Sequence, residues 1–192
     1  MKSPHALNPP QAITRRHLMQ AAGAAALVVG LGRGAVEAPA ADPAPPRPRY
    51  LISACDWMML KRQKLGAVKW AKECGLDGIE IDLGGLGDRE TFDNKLLDPT
   101  VREQFQTALR EAGLQCSSLA MSAFYAQSFA ERPTVSRMID DCIQTLRLME
   151  VKVAFLPLGV RSDLAARPQL RPAVVQRLRD AGRKAEDAGV VI

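Results

Sequence analysis

Histidine is almost missing from this 192-residue sequence. Both histidines, His5 and His17, lie within the first 40 residues, so the rest of the chain has no imidazole to serve as a metal ligand or a proton carrier. Aspartate and glutamate are few and scattered at the ends of the predicted strands. We therefore expect no tight divalent-metal site in this chain.

Glycine-rich nucleotide loops and paired-cysteine motifs are also absent. No G-x-G-x-x-G or Walker sequence occurs, which argues against dinucleotide-binding and P-loop proteins. The four cysteines are too far apart for a C-x-x-C metal or redox motif, and their positions are typical of small core residues. They are Cys55, Cys74, Cys116 and Cys142.

The positive charge of the chain is concentrated at its start. The formal net charge is +5, but residues 1–40 hold four basic side chains and one acidic one. The remaining residues carry 22 basic and 20 acidic side chains, a balance too even to indicate a nucleic-acid surface. We therefore expect no nucleic-acid partner.

Residues 1–40 have the order of an export signal. Arg15 and Arg16 precede an uncharged run over residues 18–32, and residues 38–40 read Ala-Pro-Ala, a small-x-small cleavage site. The segment resembles a bacterial twin-arginine (Tat) signal, although Leu18 and Met19 replace the usual Phe-Leu pair and the following Lys is missing. An amphipathic first helix and an uncleaved membrane anchor are the alternatives. Residues 41–49 are rich in proline and predict a linker.

The rest of the chain repeats one unit, an amphipathic helix followed by a short apolar strand. Gly75, Gly113 and Gly189 stand where a helix ends in a left-handed residue, and Asp98-Pro99 predicts a helix start. The spacing predicts a parallel α/β fold, and periodicity leaves a barrel and an open doubly wound sheet both open. The predicted strands are Tyr50–Ala54, Gly78–Leu83, Gln115–Ala120, Lys152–Leu156 and Val190–Ile192.

Polar and aromatic side chains follow the predicted strands at the edge where parallel α/β proteins place their chemistry. Rings that cover C–H faces, beside groups that bind hydroxyls, suit a small polyhydroxylated substrate. The candidate substrate-binding residues are Asp56, Trp57, Glu80, Asp82 and Tyr125. Four of them have a structural alternative: Trp57 can cap the mouth of a barrel, Tyr125 can pack its loop, Asp82 can cap the glycine-rich turn, and Glu80 can be a partnered carboxylate inside a barrel.

Four segments resemble the first half of a xylose-isomerase-like TIM barrel, the family of sugar and sugar-phosphate isomerases and epimerases. The segments are residues 71–82, which contain Gly-Leu-Asp-Gly-Ile-Glu-Ile-Asp, and residues 109–114, 153–157 and 185–192. The resemblance covers residues 50–192 and implies a parallel (β/α) half barrel that stops at its fifth strand. The endonuclease branch of the superfamily takes histidine ligands from this half, and the lack of histidine argues against it.

The resemblance also implies a cofactor that this chain is not expected to hold. In the complete family fold a divalent metal, such as Mn, Mg, Co or Zn, is bound by a Glu on strand 5 and by an Asp, a His and a Glu on strands 6 to 8. None of these positions falls within the sequence. We therefore expect no catalytic or metal-binding residue here, and no isomerase activity from this chain alone.

Three functions remain open at this stage. The first is an exported, periplasmic sugar or sugar-phosphate isomerase or epimerase. The second is a non-catalytic carbohydrate-binding or interaction protein on the same half barrel, and the third is a related lyase or dehydratase. The expected partners are a small polyhydroxylated substrate, the Tat translocon during export and, through unpaired sheet edges, a second copy of the chain.

The export signal is directly testable. We expect the mature chain to begin near Ala41, and Arg15→Lys/Arg16→Lys to abolish its export. Amino-terminal sequencing of exported protein, with and without the double substitution, measures both. Unchanged export of the double variant would rule out a Tat signal.

Overall fold

The computed structural model describes residues 50–192. The predicted signal (1–40) and linker (41–49) lie outside the described residues. Four strands alternate with four longer helices along the described chain. The strands are β1 (Ser53–Cys55), β2 (Gly78–Asp82), β3 (Gln115–Ala120) and β4 (Ala154–Phe155), and the helices are α1 (Gly66–Glu73), α2 (Pro99–Ala112), α3 (Val135–Leu148) and α4 (Arg171–Asp187).

The four strands form one parallel sheet in the order β1-β2-β3-β4. This confirms the parallel α/β prediction, and the arrangement is consistent with part of a TIM barrel, in which each strand pairs with the next along the chain. The fifth predicted strand is present only as a parallel bridge between Val153 and Val191. β1 and β4 are shorter than the hydrophobic runs that predicted them, because regular ladder pairing covers only part of each run.

Helix ends follow the predicted local chemistry. Asp98 caps α2, because its Oδ1 accepts hydrogen bonds from the N–H groups of Thr100 (2.8 Å) and Val101 (3.1 Å). Gly113 ends the same helix with φ = 67°, and Gly75 and Gly189 adopt the same left-handed conformation. Each glycine turns the chain directly into the next strand or bridge.

The two faces of the sheet are unlike. Ile79, Ile81 and Leu119 are fully buried and share one core with apolar side chains of the helices. The alternate residues face the other way and are more polar or more exposed: Glu80 is half-buried, and Val153 and Phe155 are each 44% exposed. The sheet therefore has one dry face under the helices and one open face, which in a barrel is the interior.

Within the described residues, no helix is both long enough and apolar enough to cross a bilayer.

The buried face is expected to carry most of the stability. Leu119→Ala removes a fully buried side chain from the centre of the sheet and should lower the free energy of unfolding by about 3 kcal/mol. The matched control is Leu51→Ala, at a side chain that is 68% exposed, which should cost less than about 0.5 kcal/mol. Urea denaturation of both variants measures the difference, and equal losses would contradict the assigned core.

Candidate functional site

Asp56 lies just after β1 and is fully buried. Its Oδ2 accepts a hydrogen bond from the Gln63 N–H (2.7 Å), and its Oδ1 accepts one from the Asp82 N–H (3.0 Å). Burial raises the pKa of this carboxyl to about 6, although the two backbone donors partly oppose the shift. Both carboxylate oxygens thus accept hydrogen bonds from the backbone, and Asp56 links the loop after β1 to the end of β2. We call the edge of the sheet at the carboxyl ends of the strands, together with the loops that follow them, the mouth, and Asp56 lies buried beneath it.

Gln63 connects the loop that contains Asp56 to the loop after β2. Its backbone is left-handed, with φ = 46°, and its side chain is almost fully buried. The amide Nε2 donates to the carbonyl of Asp93 (2.8 Å), and Oε1 accepts from the N–H of Lys95 (2.6 Å). Gly84 makes room for this side chain, because a Cβ at Gly84 would stand 2.8 Å from Gln63 Nε2. The loops after β1 and β2 are therefore held together.

Asp82 ends β2 and pairs with an arginine that the sequence patterns did not single out. Asp82 Oδ1 accepts the N–H of Gly84 (2.7 Å) and lies 3.0 Å from Arg62 Nε, whose N–H is not aligned for a hydrogen bond. Arg62 Nη2 donates to the hydroxyl of Ser122, just after β3 (3.1 Å). Asp82 thus caps the glycine-rich turn and anchors Arg62, which reaches across three loops.

Three aromatic rings form a row at the carboxyl ends of the strands, and we call Trp57, Tyr125 and Phe155 the aromatic row. The centroids of Trp57 and Tyr125 are 6.0 Å apart, and those of Tyr125 and Phe155 are 6.4 Å apart. The Arg62 guanidinium carbon lies 5.2 Å from the Trp57 ring centroid. Each ring of the row is 41–44% exposed, so the row combines fixed geometry with accessible faces.

The backbone of Tyr125 is fixed from behind by Gly159, in the loop after β4. The Gly159 N–H donates to the Phe124 carbonyl (3.3 Å), and a Cβ at Gly159 would stand 2.4 Å from Tyr125 Cα. Only glycine permits this approach. The loop after β4 therefore supports the middle ring of the aromatic row.

Glu80 points to the open face of the sheet, between neighbours on both adjacent strands. Cys55 and Ser118 are its register partners on β1 and β3. The Ser118 hydroxyl donates to Glu80 Oε2 (2.7 Å), and the Cys55 thiol lies on the other side as the register partner of Glu80 on β1. Burial raises the pKa of the Cys55 thiol to about 12, which keeps it neutral beside the carboxylate. Glu80 is therefore a partnered carboxylate on the open face, half-exposed to solvent.

The described residues do not fit a divalent metal ion. Within residues 50–192, no three His, Cys, Asp or Glu side chains are grouped as ligands. Asp56 and Asp82 are close to each other, but both oxygens of Asp56 and Oδ1 of Asp82 face backbone N–H groups and Arg62, and Glu80 Oε2 accepts from Ser118. Asp82 Oδ2 is buried without a hydrogen-bond partner among the described residues, but one free oxygen does not provide the several oxygen ligands that a divalent ion such as Mg²⁺ or Ca²⁺ requires.

All five predicted site residues lie at or near the carboxyl ends of the strands, but they divide into an accessible group and a buried group. Trp57, Tyr125 and Glu80 are accessible at the mouth or on the open face, whereas Asp56 and Asp82 are fully buried behind it. Arg62 and Gln63 were missed, since each lies in an irregular loop. Their signal in the sequence was only a run of polar residues, Lys-Arg-Gln-Lys at 61–64, in the loop that follows the first strand.

Comparison with known protein families assigns the fold. The family model described as "Xylose isomerase-like TIM barrel" matches residues 68–192, which is more than half of the chain. The chain therefore belongs to the xylose isomerase-like TIM barrel family, as its segments at 71–82 and 185–192 indicated. No match was found among curated proteins.

Three solved structures share the fold, each with a TM-score of 0.52. They are the probable 3-DHS dehydratase AsbF from Bacillus anthracis (16% identity, 74% of this chain and 51% of that one), a xylose isomerase domain protein from Planctomyces limnophilus (10%, 76% and 54%) and a xylose isomerase-like TIM barrel protein from Mycobacterium smegmatis in complex with magnesium (16%, 74% and 54%). This chain spans about half the length of each. At these identities the likeness shows the fold alone.

The buried Asp56 predicts a specific pH dependence. Its pKa is about 6 when folded and about 4 when unfolded, so the folded state holds the proton more tightly. Its contribution to stability is complete below pH 4 and is lost as the pH rises through 6. The difference in free energy of unfolding between the native chain and Asp56→Asn should therefore fall by up to about 3 kcal/mol from pH 4 to pH 7.

Paired urea denaturation at several pH values measures this difference, in which the other titrating groups cancel. A difference that stays constant from pH 4 to pH 7 would contradict the burial of Asp56.

Proposed function

We propose that this chain forms the substrate-binding part of an exported sugar or sugar-phosphate isomerase or epimerase. The observation that carries the proposal is the aromatic row beside Glu80 at the carboxyl ends of the strands. Exposed rings with centroids 6.0 and 6.4 Å apart present a surface for the C–H faces of a sugar. A carboxylate on the same open face accepts hydrogen bonds from hydroxyl groups.

Glu80 is suited to binding hydroxyls because a neighbour on β3 fixes its position. The Ser118 hydroxyl holds the carboxylate in one orientation, and its remaining acceptor capacity faces the open side of the sheet. A preorganised acceptor loses less conformational entropy when a ligand binds than a free surface glutamate would. The role proposed for Glu80 is to orient the substrate.

The metal chemistry of such an enzyme is proposed to belong to a part of the fold outside residues 50–192. This agrees with the donor set, since Asp56 and Oδ1 of Asp82 bind backbone N–H groups and no three candidate ligands are grouped within residues 50–192. We propose that the complete protein depends on a divalent metal such as Mn, Mg, Co or Zn. Export through the Tat translocon to the periplasm is proposed from Arg15 and Arg16 and the uncharged run that follows them.

A related lyase or dehydratase is the second candidate. It is supported by the shared fold of the probable dehydratase from Bacillus anthracis. A non-catalytic carbohydrate-binding protein would use the same aromatic row, and self-association would cover the exposed Val153 and Phe155 of the open face. Tested on the proposed complete protein with a divalent metal added, conversion of a bound sugar to an isomer, its dehydration, or its recovery unchanged distinguishes the three.

Glu80→Gln tests the proposed role, because it keeps the shape of the side chain and removes its charge. We expect affinity for neutral aldoses and ketoses to fall roughly tenfold, since a hydrogen bond to a charged group is lost. The melting temperature should change little. Saturation-transfer NMR with a panel of aldoses and ketoses, together with thermal denaturation, measures both quantities.

The matched control is Glu186→Gln, on the exposed face of α4, which should change neither quantity. A Glu80→Gln chain that melts much earlier but binds sugars as well as the native chain would make Glu80 a purely structural residue.

A further inference from the structure

Arg62 has a role that the proposed function leaves open. Its guanidinium contacts three elements at the carboxyl ends of the strands: the Trp57 ring after β1, Asp82 at the end of β2 and Ser122 after β3. The side chain is 32% exposed. Arg62 is thus held in one orientation by the protein while part of it remains open to a ligand.

The charge around Arg62 is unfavourable for an anion. Asp82 already pairs with the guanidinium at 3.0 Å. Two further carboxyl groups lie close to Asp82: Asp56 Oδ1 accepts the Asp82 N–H at 3.0 Å, and Glu80 precedes Asp82 by two residues on the same face of β2. The adjacent cation, Lys61, is directed at the Trp70 ring, 4.5 Å from its centroid. The carboxyl groups around Arg62 therefore outnumber the guanidinium, and an added phosphate would be repelled.

Hydrogen-bond donors remain available even though the charge is neutralised. A guanidinium carries five N–H groups, and the contacts within residues 50–192 place one at Ser122 and Nε beside Asp82. A donor with little net charge suits an uncharged oxygen, such as a hydroxyl or a carbonyl. A sugar whose C–H face covers Trp57 would bring such an oxygen next to Arg62, because the guanidinium lies 5.2 Å from that ring.

We propose that Arg62 is a specificity-determining residue that binds an uncharged oxygen of a sugar stacked on Trp57, so that this mouth selects free sugars over sugar phosphates. This inference rests on the proposed function and narrows its substrate class. The Arg62–Asp82 pair provides orientation, and the surrounding carboxylates provide the discrimination against anions.

Trp57 is a built-in reporter for the test. The chain has two tryptophans, so Trp70→Phe leaves Trp57 as the single source of indole emission. The full 192-residue Trp70→Phe chain is titrated at low salt with D-glucose, D-glucose 6-phosphate, D-fructose and D-fructose 6-phosphate. We expect at least one free sugar to change the emission and to bind with at least tenfold higher affinity than its phosphate. Added salt should reduce this ratio of affinities, because it screens the repulsion between the phosphate and the carboxylates.

Two variants test whether Arg62 itself determines the affinity for free sugars. Arg62→Lys keeps the charge beside Asp82 but loses the planar fork of donors, so the affinity for the free sugar should fall about tenfold while the melting temperature is retained. The matched control is Arg161→Lys, an exposed arginine in the loop after β4, which should behave as the parent.

The titrations distinguish failure of the Arg62 inference from failure of the proposed function. A phosphate that binds as tightly as its free sugar, or an Arg62→Lys chain with undiminished affinity, overturns this inference. If free sugars still bind in either case and Glu80→Gln weakens them, the proposed function stands. If neither the sugars nor their phosphates change the Trp57 emission or bind by NMR, the proposed function fails together with the inference.

Discussion

The mouth of this sheet depends on one buried carboxylate. Asp56 accepts hydrogen bonds from the backbone N–H groups of Gln63 and Asp82, and it has no exposed surface. Burial of a charge is costly, as the raised pKa of Asp56 shows, and two charge-assisted hydrogen bonds offset part of that cost. The result is a closed loop from residue 56 to residue 63 that is fastened to the end of β2.

The hydrogen bonds of Asp56 also determine the positions of the accessible side chains. Trp57 begins the closed loop and Arg62 and Gln63 end it, so their side chains start from fixed backbone positions. Gln63 then holds the loop after β2, and Arg62 reaches the loop after β3 through Ser122. Gly159 supports the Tyr125 backbone from the fourth loop. The loops that follow four successive strands therefore form one surface, which is the physical basis for proposing that this chain binds a ligand.

The fold was predictable because its signals are local. Helix stripes, the Asp98 cap and left-handed glycines act within a few residues, and they placed the strands near their observed positions. The site was only partly predictable. Position after β1 placed Trp57 at the carboxyl ends of the strands, and alternation with Ile79 and Ile81 placed Glu80 on the open face. The burial of Asp56 and Asp82, in contrast, depends on partners up to 26 residues away. Arg62 was missed because its partner Ser122 is 60 residues away and no periodicity marks either residue.

The central claim, that Asp56 fastens the mouth, is tested most directly by hydrogen exchange at the Gln63 amide. This N–H lies in a loop with no helix or strand of its own, and its hydrogen bond is to the buried Oδ2 of Asp56, at 2.7 Å. Two-dimensional NMR of the 192-residue chain should show Gln63 protected to the level of Ile81 in the centre of β2, and unprotected in Asp56→Ala. Exchange of the native Gln63 amide at the rate of an unstructured peptide would contradict the account.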